Sequence, residues 1–420
     1  MYQRSALPNG LRILSSTMAH TRSVSVGIFV GAGSRYEQES VAGASHFLEH
    51  MLFKGTERRP EPAMISGAIE SVGGVINAYT DRELTLYWTK VAVDHFSLAV
   101  DLLADMVLRS TMAEREVERE RMVILEELAM TNDQPDARAD LLIDETLWPD
   151  QPMGRDVGGS KETVSGISRS DLVAYHRQQY VANNMVVSVA GDVTHQQVVD
   201  IANEHMGGWA PGTPRDWFPV KQPVLGNQVT LEKRRTDQAH ICLAFPGVSS
   251  TDPKRFALDL LNTVLGEGMT SRLFLEVRER QGLAYDVHSS SSHYRDCGGV
   301  VIYCSVDPAK VNVAVSAILS ELTRLREGVT ADELRRAVEF TTGRFLLRME
   351  DTRAVMSSMG GQEMLVDQVR TPDEVVQEVR RITPEQVREA AETYVVPGAY
   401  KLAVVGPYRS DARFRRLLSA

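Results

Sequence analysis

The sequence predicts an α+β protein of two homologous domains, each an antiparallel-rich β-sheet with helices packed on one face. Three observations carry that expectation. The chain has 420 residues, beyond the size at which a single core usually stops growing, so two domains of about 200 residues are expected. Apolar runs with strand character alternate with amphipathic stretches along its length. The second half also repeats the plan of the first, since Ala239–Gly247 matches Ser23–Gly31 and Tyr400–Gly406 echoes Met185–Gly191.

Taken in order, Leu11–Leu14 and Ser23–Val30 read as strands, the second ended by Gly31 and Gly33. Ser45 is the expected cap of a short helix. A second helix over Glu61–Val72 precedes Gly73 and Gly74, after which Val75–Val91 reads as a strand-like run. Asp94–Ser110 is predicted as a long helix. So is Ala113–Met130, rich in Glu, Arg, Leu and Met and free of Gly and Pro, with Asn132–Pro135 ending it or opening its loop. Arg169–Tyr180 follows as a helix and Met185–Gly191 as a buried strand. The stretch Gly207–Gly226 holds four Pro and two Trp without periodicity. It marks a linker, placed at 211–228, between an N-terminal domain of residues 1–210 and a C-terminal domain of residues 229–420. The second half continues with the strand Ala239–Gly247 and a helix over Ala257–Gly266, and Gly360-Gly361 reads as a helix break or hinge.

Composition narrows the function classes. Hydrophobic content of 43% and charged content of 24% are globular values. A net charge of -10 argues against nucleic acid or an anionic membrane as partner and leaves room for basic peptides. Cys242, Cys297 and Cys304 are odd in number and form no Cys-x-x-Cys pair, so they read as core thiols rather than a disulfide framework. No run approaches the ~18 apolar residues of a membrane helix. The N-terminus has no long apolar stretch of secretory type, and a reducing, cytoplasmic setting is expected.

The most informative feature is His46-Phe47-Leu48-Glu49-His50. On a helix the two histidines lie one turn apart and Glu49 shares their face. Two imidazoles can then grip one ion. Tetrahedral catalytic zinc takes three protein ligands and leaves the fourth position to water, so a third ligand is sought elsewhere and Glu49 is free to act as base. In the register that equates Gly31 with Gly247, Asn262 and Gly266 stand where His46 and His50 do, which assigns the metal to the first half. The third ligand is expected from the helix Ala113–Met130. Its Glu120 and Glu127, seven apart, share a face with Val123 and Ile124, and a carboxylate on such an apolar face is costly unless paired or metal-bound. Glu114, Glu116 and Glu118 alternate with Arg115, Arg119 and Arg121 and read as a solvated face. Residue chemistry leaves Glu120, Glu126 and Glu127 as candidates. His176, His195, His205, His288 and His293 have no ligand-type spacing and read as structural or exposed.

These motifs resemble the pitrilysin or insulinase family of zinc peptidases, the M16 group, in its short-chain form similar to the mitochondrial processing peptidase beta subunit. The resemblance runs through Leu7–Leu11, Gly31–Glu37, His46–Thr56, Asn77–Thr80 and the Glu120-to-Glu127 helix. It implies that His46, His50 and Glu127 bind zinc (Zn2+), that Glu49 deprotonates the zinc-bound water and returns the proton to the leaving amine, and that Glu120 supports the ligands. Glu126 stays the alternative ligand. Arg278 and Tyr285, seven apart in the second half, match family residues that reach the bound peptide, and Asn77, Ala78 and Tyr79, with Phe53, match its substrate strand and surroundings. Relatives of this length resemble half of longer members, which implies a homodimeric clamshell, or a heterodimer with a non-catalytic homologue, acting on extended or unfolded peptides. A processing peptidase for targeting peptides and a non-catalytic core subunit are the alternative functions.

Overall fold

Every residue of Met185–Gly191 is buried, which requires a strand paired on both edges and covered on both faces. The computed structural model describes residues 2–221 and 226–419, so residues 222–225 of the expected linker lie outside the described residues. Its strands are β1 (Tyr2–Ala6), β2 (Arg12–Thr17), β3 (Ser23–Val30), β4 (Val75–Thr80), β5 (Thr85–Ala92), β6 (Met185–Gly191), β7 (Gln228–Lys233), β8 (Ala239–Pro246), β9 (Ala284–His293), β10 (Gly298–Val306) and β11 (Lys401–Gly406). They form two sheets. The first has the order β1-β2-β6-β3-β5-β4, with β2 and β6 parallel and the other neighbours antiparallel. The second has the order β7-β11-β8-β10-β9, with β7 and β11 parallel and the rest antiparallel. With β1 set aside, the two orders match strand for strand, and the α+β class with an internal repeat is what the chain adopts.

One face of the first sheet packs on helices Ala44–Met51, Phe96–Arg109 and His195–Met206. The second sheet packs in the same way on Arg255–Gly266, Val311–Arg326 and Pro384–Tyr394. The opposite faces are apolar too, and each takes one further helix. Leu14, Phe29, Leu86, Trp88 and Val186 lie under Met356, Met359 and Met364 of helix Thr352–Val366. Cys242, Ala244, Tyr303, Ala403 and Val405 lie under Ala139, Leu142 and Ile143 of helix Pro135–Leu147. Each of these helices comes from the other half of the sequence. The chain accordingly forms one compact unit from Met1–Leu128, Asp156–Phe218 and Leu346–Pro372, and another from Ala129–Arg155, Pro219–Phe345 and Asp373–Ala420. A single division at 211–228 does not describe this exchange.

Three local expectations are refined or corrected. The run Val75–Val91 is a hairpin of β4 and β5 closed by Asp81 N–H donating to Leu84 O at 2.9 Å, because Asp81-Arg82-Glu83 cannot continue an apolar strand. Asn132–Pro135 does end the long helix, at Asp133, but opens no loop, since helix Pro135–Leu147 follows at once with proline at a first-turn position. Gly360 and Gly361 neither break nor hinge their helix. A Cβ at Gly360 would lie 2.0 Å from Phe29 Cε2, so the glycine there lets the helix backbone settle onto the sheet. Among the described residues no helix is long and apolar enough to cross a membrane, and all three cysteines are free thiols, Cys242 and Cys304 being buried.

Candidate metal centre

The motif helix Ala44–Met51 starts after Gly43, whose φ of +97° is left-handed and whose Cβ, if present, would stand 2.6 Å from Gly158 O. Ser45 does not cap it. The buried Glu37 carboxylate accepts from Gly43 N–H at 2.8 Å and Ser45 N–H at 2.6 Å, placing a negative group at the helix start, while the Ser45 hydroxyl hydrogen-bonds the Tyr175 hydroxyl at 2.8 Å. Anchored in this way, the helix stacks His46 and His50 edge to face, ring centroids 4.7 Å apart.

The long helix Glu114–Asp133 brings the carboxylates. His46, His50 and Glu127 each offer a donor atom within 4.8 Å of the others. Glu127 Oε2 lies 3.8 Å from His46 Nε2 and 3.4 Å from His50 Nε2. Ligands about 2.1 Å from a tetrahedral zinc stand roughly 3.4 Å apart, so this donor set fits that ion. Glu127 Oε2 is moreover shut off from solvent with no hydrogen-bond partner, an arrangement that a bound cation resolves. Glu126 is exposed and outside the group. Burial lowers the His46 pKa to about 4, helped by the neighbouring His50 charge, so His46 remains a neutral, ligand-competent imidazole at physiological pH.

Glu120, two turns before Glu127, is 3% exposed. Its Oε2 lies 3.2 Å from His50 Nδ1, and its Oε1 lies 2.7 Å from Lys54 Nζ. Turning Nδ1 to a carboxylate leaves Nε2 for a metal. Two readings of this helix are corrected. Val123 is exposed rather than inward, since the buried stripe runs through Val117, Glu120, Arg121 and Ile124. Arg121 is likewise no solvated partner of the acidic run: its guanidinium donates to Val164 O and Glu118 and lies over the Phe47 ring.

Glu49 is the acid of the site. Its burial raises the carboxyl pKa, opposed by hydrogen bonds from Thr80 and by the His50 charge, which makes it a stronger base than a solvated glutamate. A cleft of about 270 Å3 opens beside it, lined by Glu49, His50, Phe53, Lys54, Ile76 and Asn77. Along this cleft runs β4, the terminal strand of its sheet, with Asn77, Ala78 and Tyr79 at its centre and one edge unpaired. Arg278 and Tyr285 belong to the other compact unit. There the Arg278 guanidinium lies 4.8 Å from the ring centroids of both Phe274 and Tyr285, and Tyr285 is 78% exposed.

The second unit has no ligand pair at the matching helix. Asn262 is buried, and a Cβ at Gly266 would stand 2.3 Å from Ser289 Oγ, so no imidazole fits. Of the other histidines, His176 is held by Val107 O, His195 by Ser5 and Ser15, and His293 by Asp259 and Val248 O. Sequence reasoning missed Lys54 and Thr80. Lys54 carried a weak signal, a cation four residues beyond His50.

One of the two like units bears a His, His, Glu donor set beside the half-buried Glu49, an arrangement that suits a metallopeptidase. The model for insulinase, peptidase family M16, matches residues 12–161, and that for the peptidase M16 inactive domain matches residues 166–340. An uncharacterized zinc protease of Streptomyces coelicolor is 38% identical over 100% of this chain and 92% of its own length. The chain belongs to the M16 peptidase family. Its fold is also that of a protease from Helicobacter pylori, with a TM-score of 0.89 at 20% identity over 97% of this chain and 99% of that one. A chain of complex III2 from Candida albicans shares the fold as well, with a TM-score of 0.85 at 18% identity over 99% of each.

Proposed function

We propose that this protein is a zinc-dependent endopeptidase that hydrolyses extended or unfolded oligopeptides. The observation that carries the reading is the orphaned Glu127 Oε2 facing both histidine Nε2 atoms. Zinc, when bound, acidifies water and polarises a carbonyl. His46, His50 and Glu127 would hold the ion, while Glu120 keeps the His50 ring turned. The Glu49 carboxylate takes the proton from the attacking water and later gives it to the departing amine, and its raised pKa suits both directions of transfer. The free edge of β4 would pair with substrate main chain, which supplies affinity with little demand on sequence. Phe53 and Ile76 offer the cleft an apolar wall for a side chain.

Arg278 and Tyr285 are assigned to the bound peptide as well, acting in a homodimeric clamshell across to the zinc site of the second copy. A heterodimer with a non-catalytic homologue would serve equally. The overall negative charge is compatible with basic targeting peptides as substrates, and free thiols throughout suit a cytoplasmic setting. The complex III2 relative in fold bears on a core-subunit role; the intact donor set favours hydrolysis. Cleavage of a set of quenched fluorescent oligopeptides, before and after chelation and again with zinc restored, tests the reading. Turnover lost with the chelator and regained with zinc supports it, and turnover untouched by metal removal defeats it.

A further inference from the structure

Lys54 has no part in the chemistry described so far, yet it lines the same cleft as Glu49 and His50 and pairs with Glu120. It stands four residues past His50, just beyond the helix end at Met51, and its Nζ lies 2.7 Å from Glu120 Oε1, while Glu120 Oε2 faces His50 Nδ1 at 3.2 Å. The two carboxylate oxygens are thus claimed by two donors from one stretch of chain. A carboxylate held at one oxygen swings about its terminal torsion, whereas one held at both has its plane set. Glu120 is almost fully buried and Lys54 is about a quarter exposed. A buried carboxylate without a counter-charge is costly, and the Lys54 ammonium lies within ion-pair distance of it. Glu120 and Glu127 lie two turns apart on one helix, so the same contact also fixes the distance between the helix that carries both histidines and the helix that carries the third donor.

We infer that Lys54 is a positioning residue for the metal centre, acting through Glu120 to orient the His50 ring. This rests on the zinc reading above. Residues behind metal ligands typically contribute about 10- to 100-fold in metal affinity, and Lys54 is assigned an effect of that order.

The experiment is zinc affinity of the purified full chain, read by competition with a chromophoric chelator, for wild type, Lys54→Met, Lys54→Arg, Glu120→Gln and the double variant Lys54→Met with Glu120→Gln. The thermal midpoint of each metal-free protein is recorded alongside. The expected result is a loss of about 10-fold or more in Lys54→Met, partial recovery in Lys54→Arg, and no additional loss when Lys54→Met is placed on Glu120→Gln, because the path to His50 is then already cut. Metal-free thermal midpoints should not track these losses. Affinity unchanged in Lys54→Met, with KM for peptide raised instead, overturns the inference and makes Lys54 a substrate contact. Equal losses on both backgrounds overturn it too. A wild-type chain that binds no zinc defeats the underlying reading itself, a result distinct from either.

Discussion

His176 is buried against Val107 O and stacked on Tyr180 at 4.5 Å, and burial lowers its pKa to about 4. In the unfolded chain the same imidazole titrates near 6.5. As pH falls from 6.5 towards 4 the unfolded state takes up a proton that the native state refuses, so stability declines through that window. At pH 5 the loss from this one group is about 2 kcal/mol. His176→Gln, which keeps a donor for Val107 O, should shrink the difference between denaturation free energies measured at pH 7 and pH 5, and an unchanged difference would contradict the assignment. His46 is held down chiefly by the same cause, with the His50 charge adding to it, which shows how burial helps prepare a ligand. The residue scale is also where the sequence was most readable. The spacing of His46, Glu49 and His50 is a local property of a helix, and the seven-residue step from Glu120 to Glu127 marks one helical face. Lys54 escaped because its importance depends on Glu120, 66 positions away in the chain and adjacent only after folding.

At the scale of elements, both sheets solve the same problem of having two apolar faces. The run Met185–Gly191 shows that cover is needed on each side, yet nothing in it says which segment supplies the cover. The exchanged helices Thr352–Val366 and Pro135–Leu147 were therefore not legible, while the strands they cover were. The hairpin between β4 and β5 was legible in part, since Asp81-Arg82-Glu83 interrupts the run at the turn, while the pairing of β5 with both β4 and β3 was not. Gly360 shows how a local signal misleads, since a glycine pair in a helix looks like a weak point and here marks a close approach to Phe29. Gly360→Ala should lower stability by about 1–3 kcal/mol, the range for overpacking a filled core. Equilibrium unfolding in denaturant reads this directly, and a neutral substitution would show that the helix rests elsewhere on the sheet.

For the whole molecule, the proposal divides labour between copies of the chain, with Glu49 from one and Arg278 and Tyr285 from the other. Mixing Glu49→Gln with Arg278→Ala, each inactive alone, should restore roughly a quarter of wild-type turnover once subunits exchange at random, because half the dimers are mixed and each holds one complete site. No recovery in a mixture of confirmed dimeric mass would confine each site to its own chain. The internal repeat that underlies this arrangement was visible in Ala239–Gly247 and Tyr400–Gly406. The same repeat exposes the loss of ligands at Asn262 and Gly266, where the structure leaves no room for an imidazole. The central claim, that Glu49 moves the proton at a zinc held by His46, His50 and Glu127, is tested most directly by comparing wild type with Glu49→Gln at matched zinc content on a fluorescent oligopeptide. The account expects equal zinc and a fall in kcat of about 10^2- to 10^4-fold; undiminished turnover at equal zinc content would contradict it.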